Sequence, residues 1–311
     1  MAATAERIPE SEDAERAPSG EHLALRFYDV TSADGTRIKA WTNDAQGPTL
    51  LLCNGLGTNP YAWPALLRKD CGVRVVSWNH RGVGGSDRPT DRSRVGIDAF
   101  IEDALAVLDD AGIESCAVAG WSIGVNTAFE LAVLHPHRVT GLFAVAGVPG
   151  GTFASMGAPL MIPRIARRPV SVGVTRLMRR VGCAVTPFTS RLPVGDAFAR
   201  LLSHSGFMLP TDEIPAVRRA VKEFLATPVD WYMHLALAAA EHPRVSLRRI
   251  TVPTAFVAGR WDLLASSEDM LTASARITGS TYVELNGSHF VQLEHPEAVH
   301  AELQGLLARI A

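Results

Sequence analysis

Gly120-Trp121-Ser122-Ile123-Gly124 places one serine between two glycines, directly after an apolar run at residues 116–119 and at the head of a helical pattern at 122–134. A serine at a sharp strand-to-helix turn lifts its hydroxyl clear of the sheet and beside the free amides of a helix N-terminus. Small residues on either side suit so crowded a turn. The chemistry that fits is nucleophilic attack on a carbonyl carbon through an acyl-serine intermediate. An ordinary helix start with Ser122 as its N-cap is the plainer alternative.

A serine hydroxyl needs a base to take its proton. The chain has 10 histidines. His289, in Gly287-Ser288-His289-Phe290, follows the last strand-like run and precedes the last helical one, at the sheet edge where Ser122 stands. His135 and His137 lie in a helix-to-strand loop at the opposite edge, and His234 and His242 lie in a helical stretch. The base in turn needs an acid that fixes its tautomer and stabilises the imidazolium. Asp262 stands just past the penultimate strand-like run, in Gly259-Arg260-Trp261-Asp262, whereas Glu268 and Asp269 fall into the next helix. Capping that helix is the other role open to Asp262. Charge developing on the substrate oxygen needs fixed donors. The expected pair is the backbone N–H of Ile123 and that of Leu56, in Cys53-Asn54-Gly55-Leu56-Gly57-Thr58, a stretch that also reads as a plain tight turn.

Short apolar runs at 49–53, 73–78, 116–119, 139–146, 254–258 and 281–285 read as strands covered on both faces. Residues 23–30 and 37–42 read as a hairpin around Asp34-Gly35. Helical patterns at 97–111, 122–134 and 294–310 alternate with the strands. Such alternation predicts a mostly parallel sheet flanked by helices. Residues 151–245 break it with helices, loops and nine prolines, and read as a helical cap inserted after strand 6. The body is then 22–150 plus 246–311, and the polar, acid-rich residues 1–21 read as a disordered tail.

These motifs resemble the α/β-hydrolase family, in particular its capped, esterase-like members, over about residues 22–311. Residues 79–87, Asn-His-Arg-Gly-Val-Gly-Gly-Ser-Asp, resemble the family's D-x-R-G-x-G-x-S turn, with Asn79 where aspartate is usual. Residues 289–296 resemble its H-x-x-x-x-E-x-P ending, and Asn54-Gly55 replaces the usual His-Gly of the oxyanion loop. The resemblance implies an eight-stranded α/β-hydrolase sheet with a cap. It also implies a triad of Ser122, Asp262 and His289, with Leu56 and Ile123 in the oxyanion hole. Haloalkane dehalogenases and epoxide hydrolases of this fold use an aspartate nucleophile, and Ser122 argues against both.

Composition narrows the field. Hydrophobic residues make up 47% of the chain, charged residues 20%, and the net charge is −2. Nothing there points to nucleic acid. No apolar run reaches the ~20 residues of a membrane span, so stable membrane insertion is not expected. Cys53, Cys71, Cys116 and Cys183 form no CxxC pair; a reducing, cytoplasmic setting is expected. No metal-ligand spacing and no dinucleotide fingerprint occur, so neither metal nor cofactor is expected.

The expected reaction is hydrolysis of a carboxylic ester of a small to medium, mainly apolar molecule. Thioesters, lactones, C–C bonds, peracid formation, acyl transfer and slow-turnover binding remain open on the same triad. Phe207, Met208 and Trp231 of the cap, with Phe290 beside His289, are the expected substrate contacts. Arg164, Arg167, Arg168, Arg176, Arg179 and Arg180 make the early cap basic. A solvated face is the plain reading; an anionic substrate group or an acidic lipid surface is the sharper one. Oligomeric state is left open.

Overall fold

The computed structural model describes residues 22–240, 242–243 and 245–310. The expected N-terminal tail lies outside these residues. An eight-stranded sheet forms the centre, composed of β1 (Arg26–Thr31), β2 (Arg37–Thr42), β3 (Thr49–Cys53), β4 (Arg74–Trp78), β5 (Cys116–Trp121), β6 (Val139–Val145), β7 (Thr254–Gly259) and β8 (Thr281–Leu285). The strand order is β1-β2-β4-β3-β5-β6-β7-β8. β2 runs antiparallel to β1 and β4, and every other pairing is parallel.

Helices follow in chain order: α1 (Ile97–Asp110), α2 (Gly124–Leu134), α3 (Thr152–Ser155), α4 (Arg164–Thr189), α5 (Asp196–Leu202), α6 (Ile214–Leu225), α7 (Val229–Ala240), α8 (Ser267–Ser274), α9 (Val291–Glu294) and α10 (Pro296–Ile310). The central strands β5 and β7 are buried along their whole length, as parallel strands covered on both faces must be. Alternate side chains feed two cores. Leu51, Val76, Val118 and Leu142 meet α1, α2 and α8, while Leu50, Val75, Ala117 and Phe143 meet α10.

Several element ends differ from the sequence reading by one to three residues, and three differences have a local reason. β5 runs to Trp121, because Gly120 and Trp121 still pair with Ala144 and Val145. α2 starts at Gly124 rather than Ser122, because Ser122 sits at φ +56°, outside the right-handed helix. The C-terminal helix is split into α9 and α10 at His295 (φ −131°), since Pro296 disfavours helical backbone in the residue before it.

Helices α3 to α7 occupy the insertion between β6 and β7, and α4 packs along α7. The insertion is tied to the body at separate points. The Trp231 indole N–H donates to the Arg81 carbonyl at 2.8 Å. Asn59 donates to the Ala220 carbonyl at 3.0 Å. Arg219 bonds the Tyr61 hydroxyl. Beneath the Trp231 joint, the fully buried Arg81 guanidinium spans Asp103 at 2.8 Å and Asp34. That joint also explains Gly82 (φ +71°): a Cβ there would lie 2.2 Å from the Trp231 indole nitrogen.

Candidate active site

Ser122 is held in the left-handed region (φ +56°) between two glycines that admit no side chain. A Cβ on Gly120 would stand 2.6 Å from the Val125 Cα, and one on Gly124 1.8 Å from the Cys53 carbonyl oxygen. A non-glycine at positive φ costs of order 1–3 kcal/mol and persists only where its surroundings impose it. Here the Ser122 N–H donates to Val145, and the Ser122 carbonyl accepts from Val125, both at 3.1 Å.

The structure brings the three expected polar groups into one line. Ser122 Oγ lies 2.9 Å from His289 Nε2. His289 Nδ1 lies 2.9 Å from Asp262 Oδ2 and 3.0 Å from Oδ1. Asp262 and His289 are both buried. The Asp262 Oδ1 also accepts the N–H groups of Leu264 at 2.7 Å and Ala265 at 2.8 Å, so its loop orients the carboxylate. Capping α8 falls instead to Ser266, whose Oγ accepts from Asp269, and Glu268 is exposed. His135 and His137 sit at the opposite end of the sheet, around the 3-10 turn Pro136–Arg138 that leads into β6.

The amides of Leu56 and Ile123 donate to no partner among the described residues. Leu56 occupies the second position of a turn closed by Thr58 N–H to the Gly55 carbonyl at 3.1 Å. Gly57, third in that turn, has φ +68°, as a type II turn demands. Asn54 braces the loop from within. Its Oδ1 accepts from the Gly55 amide and the Trp63 indole, each at 3.1 Å, and its amide donates to the Asn59 carbonyl at 3.2 Å. Asparagine thus anchors the loop where the family resemblance suggests a histidine.

Three further residues support the site without a strong sequence signal. Trp121 donates its indole N–H to the His289 carbonyl at 3.0 Å and packs against Trp63 and Phe290. Glu294 accepts from the Ser288 amide at 2.6 Å and from the Leu209 amide of the cap at 2.7 Å. It also takes the Ser288 hydroxyl at 2.5 Å. Tyr232 stands against the oxyanion loop: a Cβ on Gly57 would lie 2.9 Å from its ring, and Phe224 packs edge-on against that ring. The only sequence hints were the glutamate of the H-x-x-x-x-E-x-P pattern and the bulk of the aromatic residues.

The expected substrate contacts divide. Phe290 packs on the His289 ring, and Phe207, half exposed, packs on Phe290 with ring centres 5.3 Å apart. Met208 is buried in the core on the α10 side of the sheet. Trp231 is a correction: it is fully buried, bonded to Arg81 and covered by the Arg88 guanidinium at 4.4 Å. It fastens the cap to the body and has no exposed surface to offer a substrate. Truncating such an indole costs roughly 3–5 kcal/mol. Among the described residues no cluster of histidine, cysteine and carboxylate side chains suits a metal ion.

Comparison with known proteins agrees with this architecture. The model of the α/β-hydrolase fold family matches residues 48–180. The 3-oxoadipate enol-lactonase 2 of Acinetobacter baylyi is 25% identical over 288 residues, 92% of this chain and 98% of that protein. Epoxide hydrolase A of Mycobacterium tuberculosis is 24% identical, over 88% of this chain and 95% of its own. The solved structure of the enol-lactonase from Burkholderia xenovorans superposes with a TM-score of 0.67 at 21% identity, covering 90% of this chain and 100% of that one. The chain has the α/β-hydrolase fold, with a helical segment after β6 in the position of a cap.

Proposed function

We propose that the protein hydrolyses carboxylic esters through an acyl-serine intermediate. The observation that carries this is the aligned Ser122–His289–Asp262 hydrogen-bond chain at 2.9 Å per step. His289 Nε2 removes the hydroxyl proton as Ser122 Oγ attacks the carbonyl carbon. The resulting oxyanion takes the free N–H groups of Leu56 and Ile123. The tetrahedral adduct then expels the alkoxide, which receives that proton from imidazolium, and acyl-Ser122 remains. A water molecule repeats the attack with His289 again as base and releases the acid. Asp262 keeps Nδ1 protonated, so that Nε2 is free to accept.

A serine at the elbow supports ester chemistry over epoxide opening, despite the epoxide hydrolase among the relatives. A lactone is a cyclic ester and suits the same steps. Two matches that cover nearly the whole of their own chains are enol-lactonases, which favours lactones as the second substrate class. Phe207, Phe290, Tyr232 and Phe224 are the proposed apolar wall, which favours a small to medium, mainly apolar acyl or ring substrate. The test is a chain-length series of activated esters alongside simple lactones and thioesters. A phosphonate probe should label Ser122. Ser122→Ala should lose roughly a thousandfold or more in kcat. Labelling elsewhere, or turnover surviving in Ser122→Ala, would overturn the proposal.

A further inference from the structure

We propose that the outer face of α4 is an interfacial surface that docks the cap on an anionic lipid bilayer. The helix has two apolar faces. One packs inward, where Gly182 abuts the Asp230 backbone and Thr186 accepts the Val229 N–H at 2.9 Å. The other is a stripe of Val170, Val174, Leu177, Val181 and Phe188, spaced 4, 3, 4 and 7 residues apart, all exposed. At about 100° per residue these five fall within an arc of roughly 60°. Nothing among the described residues covers the stripe. The segment leading into the helix adds further exposed apolar side chains, with Leu160 64% and Met161 88% exposed.

Charge points to the occupant. Residues 151–195 hold seven arginines and no aspartate or glutamate. Arg164 pairs with Asp269, and Arg167 donates to the Ile162 carbonyl. Arg168, Arg176, Arg179, Arg180 and Arg191 are exposed and have no ion pair among the described residues. A helix with an exposed aliphatic stripe, whose only charged side chains are arginines, matches an interface that is apolar within and negative at its surface. A second copy would set like charges against each other. A nucleic acid would offer the stripe no apolar phase. No described helix is long and apolar enough to cross a membrane, so the contact is adsorption rather than insertion. The docked face adjoins the catalytic edge: the Gly157 N–H, just ahead of Met161, donates to the carbonyl of Leu263, the residue after Asp262, at 2.8 Å. A docked enzyme would therefore draw on esters dissolved in or released from the bilayer.

The test is flotation of the full chain with phosphatidylcholine vesicles, with and without phosphatidylglycerol, at low and high salt. It reads binding without turnover, so its outcome is separate from that of the ester proposal. The expected result is binding to anionic vesicles only, weakened by salt. The triple change R176Q, R179Q and R180Q should weaken binding roughly tenfold or more. L177S with F188S should weaken it at low salt as well, and both variants should keep wild-type turnover of a water-soluble ester. Binding to neither vesicle overturns the proposal, as does equal binding by wild type and the triple variant. A wild-type dimer that L177S dissociates overturns it too, by assigning the stripe to a second copy.

Discussion

Replacing Glu294 by glutamine should loosen His289 and the cap together. The carboxylate serves two elements at once. Oε2 accepts the Ser288 amide at 2.6 Å, next to His289, and Oε1 accepts the Leu209 amide of the cap at 2.7 Å. Every backbone partner is a donor. Glutamine has one acceptor oxygen and one NH2 group, so either orientation turns a donor toward a donor. The Ser288 hydroxyl can rotate to accept, but the two amides cannot. A hydrogen bond to a charged acceptor contributes roughly 1.5–3 kcal/mol, and stranding its buried donor costs about 1–3 kcal/mol in its place. Glu294→Gln should therefore destabilise by roughly 3 kcal/mol, which lowers Tm by about 5 °C or more in a chain of this size. Because Ser288 precedes His289, kcat should also fall, by roughly 10- to 100-fold, while the chain stays folded at ambient temperature. Thermal unfolding followed by circular dichroism and steady-state ester turnover measure the two effects. An unchanged Tm with an unchanged kcat would refute the idea that this carboxylate clamps both elements.

Asp262→Asn should cost roughly 10⁴-fold in kcat with the fold kept. The Leu264 and Ala265 amides require an oxygen at the Oδ1 position, so the new NH2 would face Nδ1 and move the imidazole proton to Nε2, where it blocks acceptance from Ser122. Wild-type rates in this variant would show that Asp262 does not set the tautomer. Leu56→Pro should cost roughly 100-fold in kcat with little change in stability. Proline suits the second position of a type II turn and deletes only the N–H. An unchanged kcat would remove Leu56 from the oxyanion hole. His80 is buried edge-on against Phe100, and burial lowers its pKa from 6.5 to about 4. Its proton is therefore bound more readily by the unfolded chain, and stability present above pH 6.5 is lost as pH falls toward 4. That loss amounts to roughly 3 kcal/mol. His80→Gln should flatten this part of the stability profile in denaturant titrations, and an identical slope would refute the assignment.

Amino-acid order alone determined the features built from neighbours along the chain. Gly120 and Gly124 flank a serine at a strand-to-helix turn, and the spacing of apolar runs sets the strands of a parallel sheet with their helices. Once the strands are parallel, loops after consecutive strands open at one edge, which is why Ser122, Asp262 and His289 were legible as a set before any distance was known. The cap was legible as an interruption of the alternation, but its contacts were not. Trp231 reaches Arg81 across 150 positions, and Leu209 reaches Glu294 across 85. No local periodicity encodes such pairings; they depend on how the helical layer comes to rest on the body. Tertiary structure alone thus decided that Trp231 is a fastener, that Tyr232 stands over the oxyanion loop, that Asn54 takes up the brace of that loop, and that one face of α4 is left uncovered. The physical reason is that burial and hydrogen-bond satisfaction are properties of the assembled surfaces, whereas turn geometry and strand register are properties of adjacent residues.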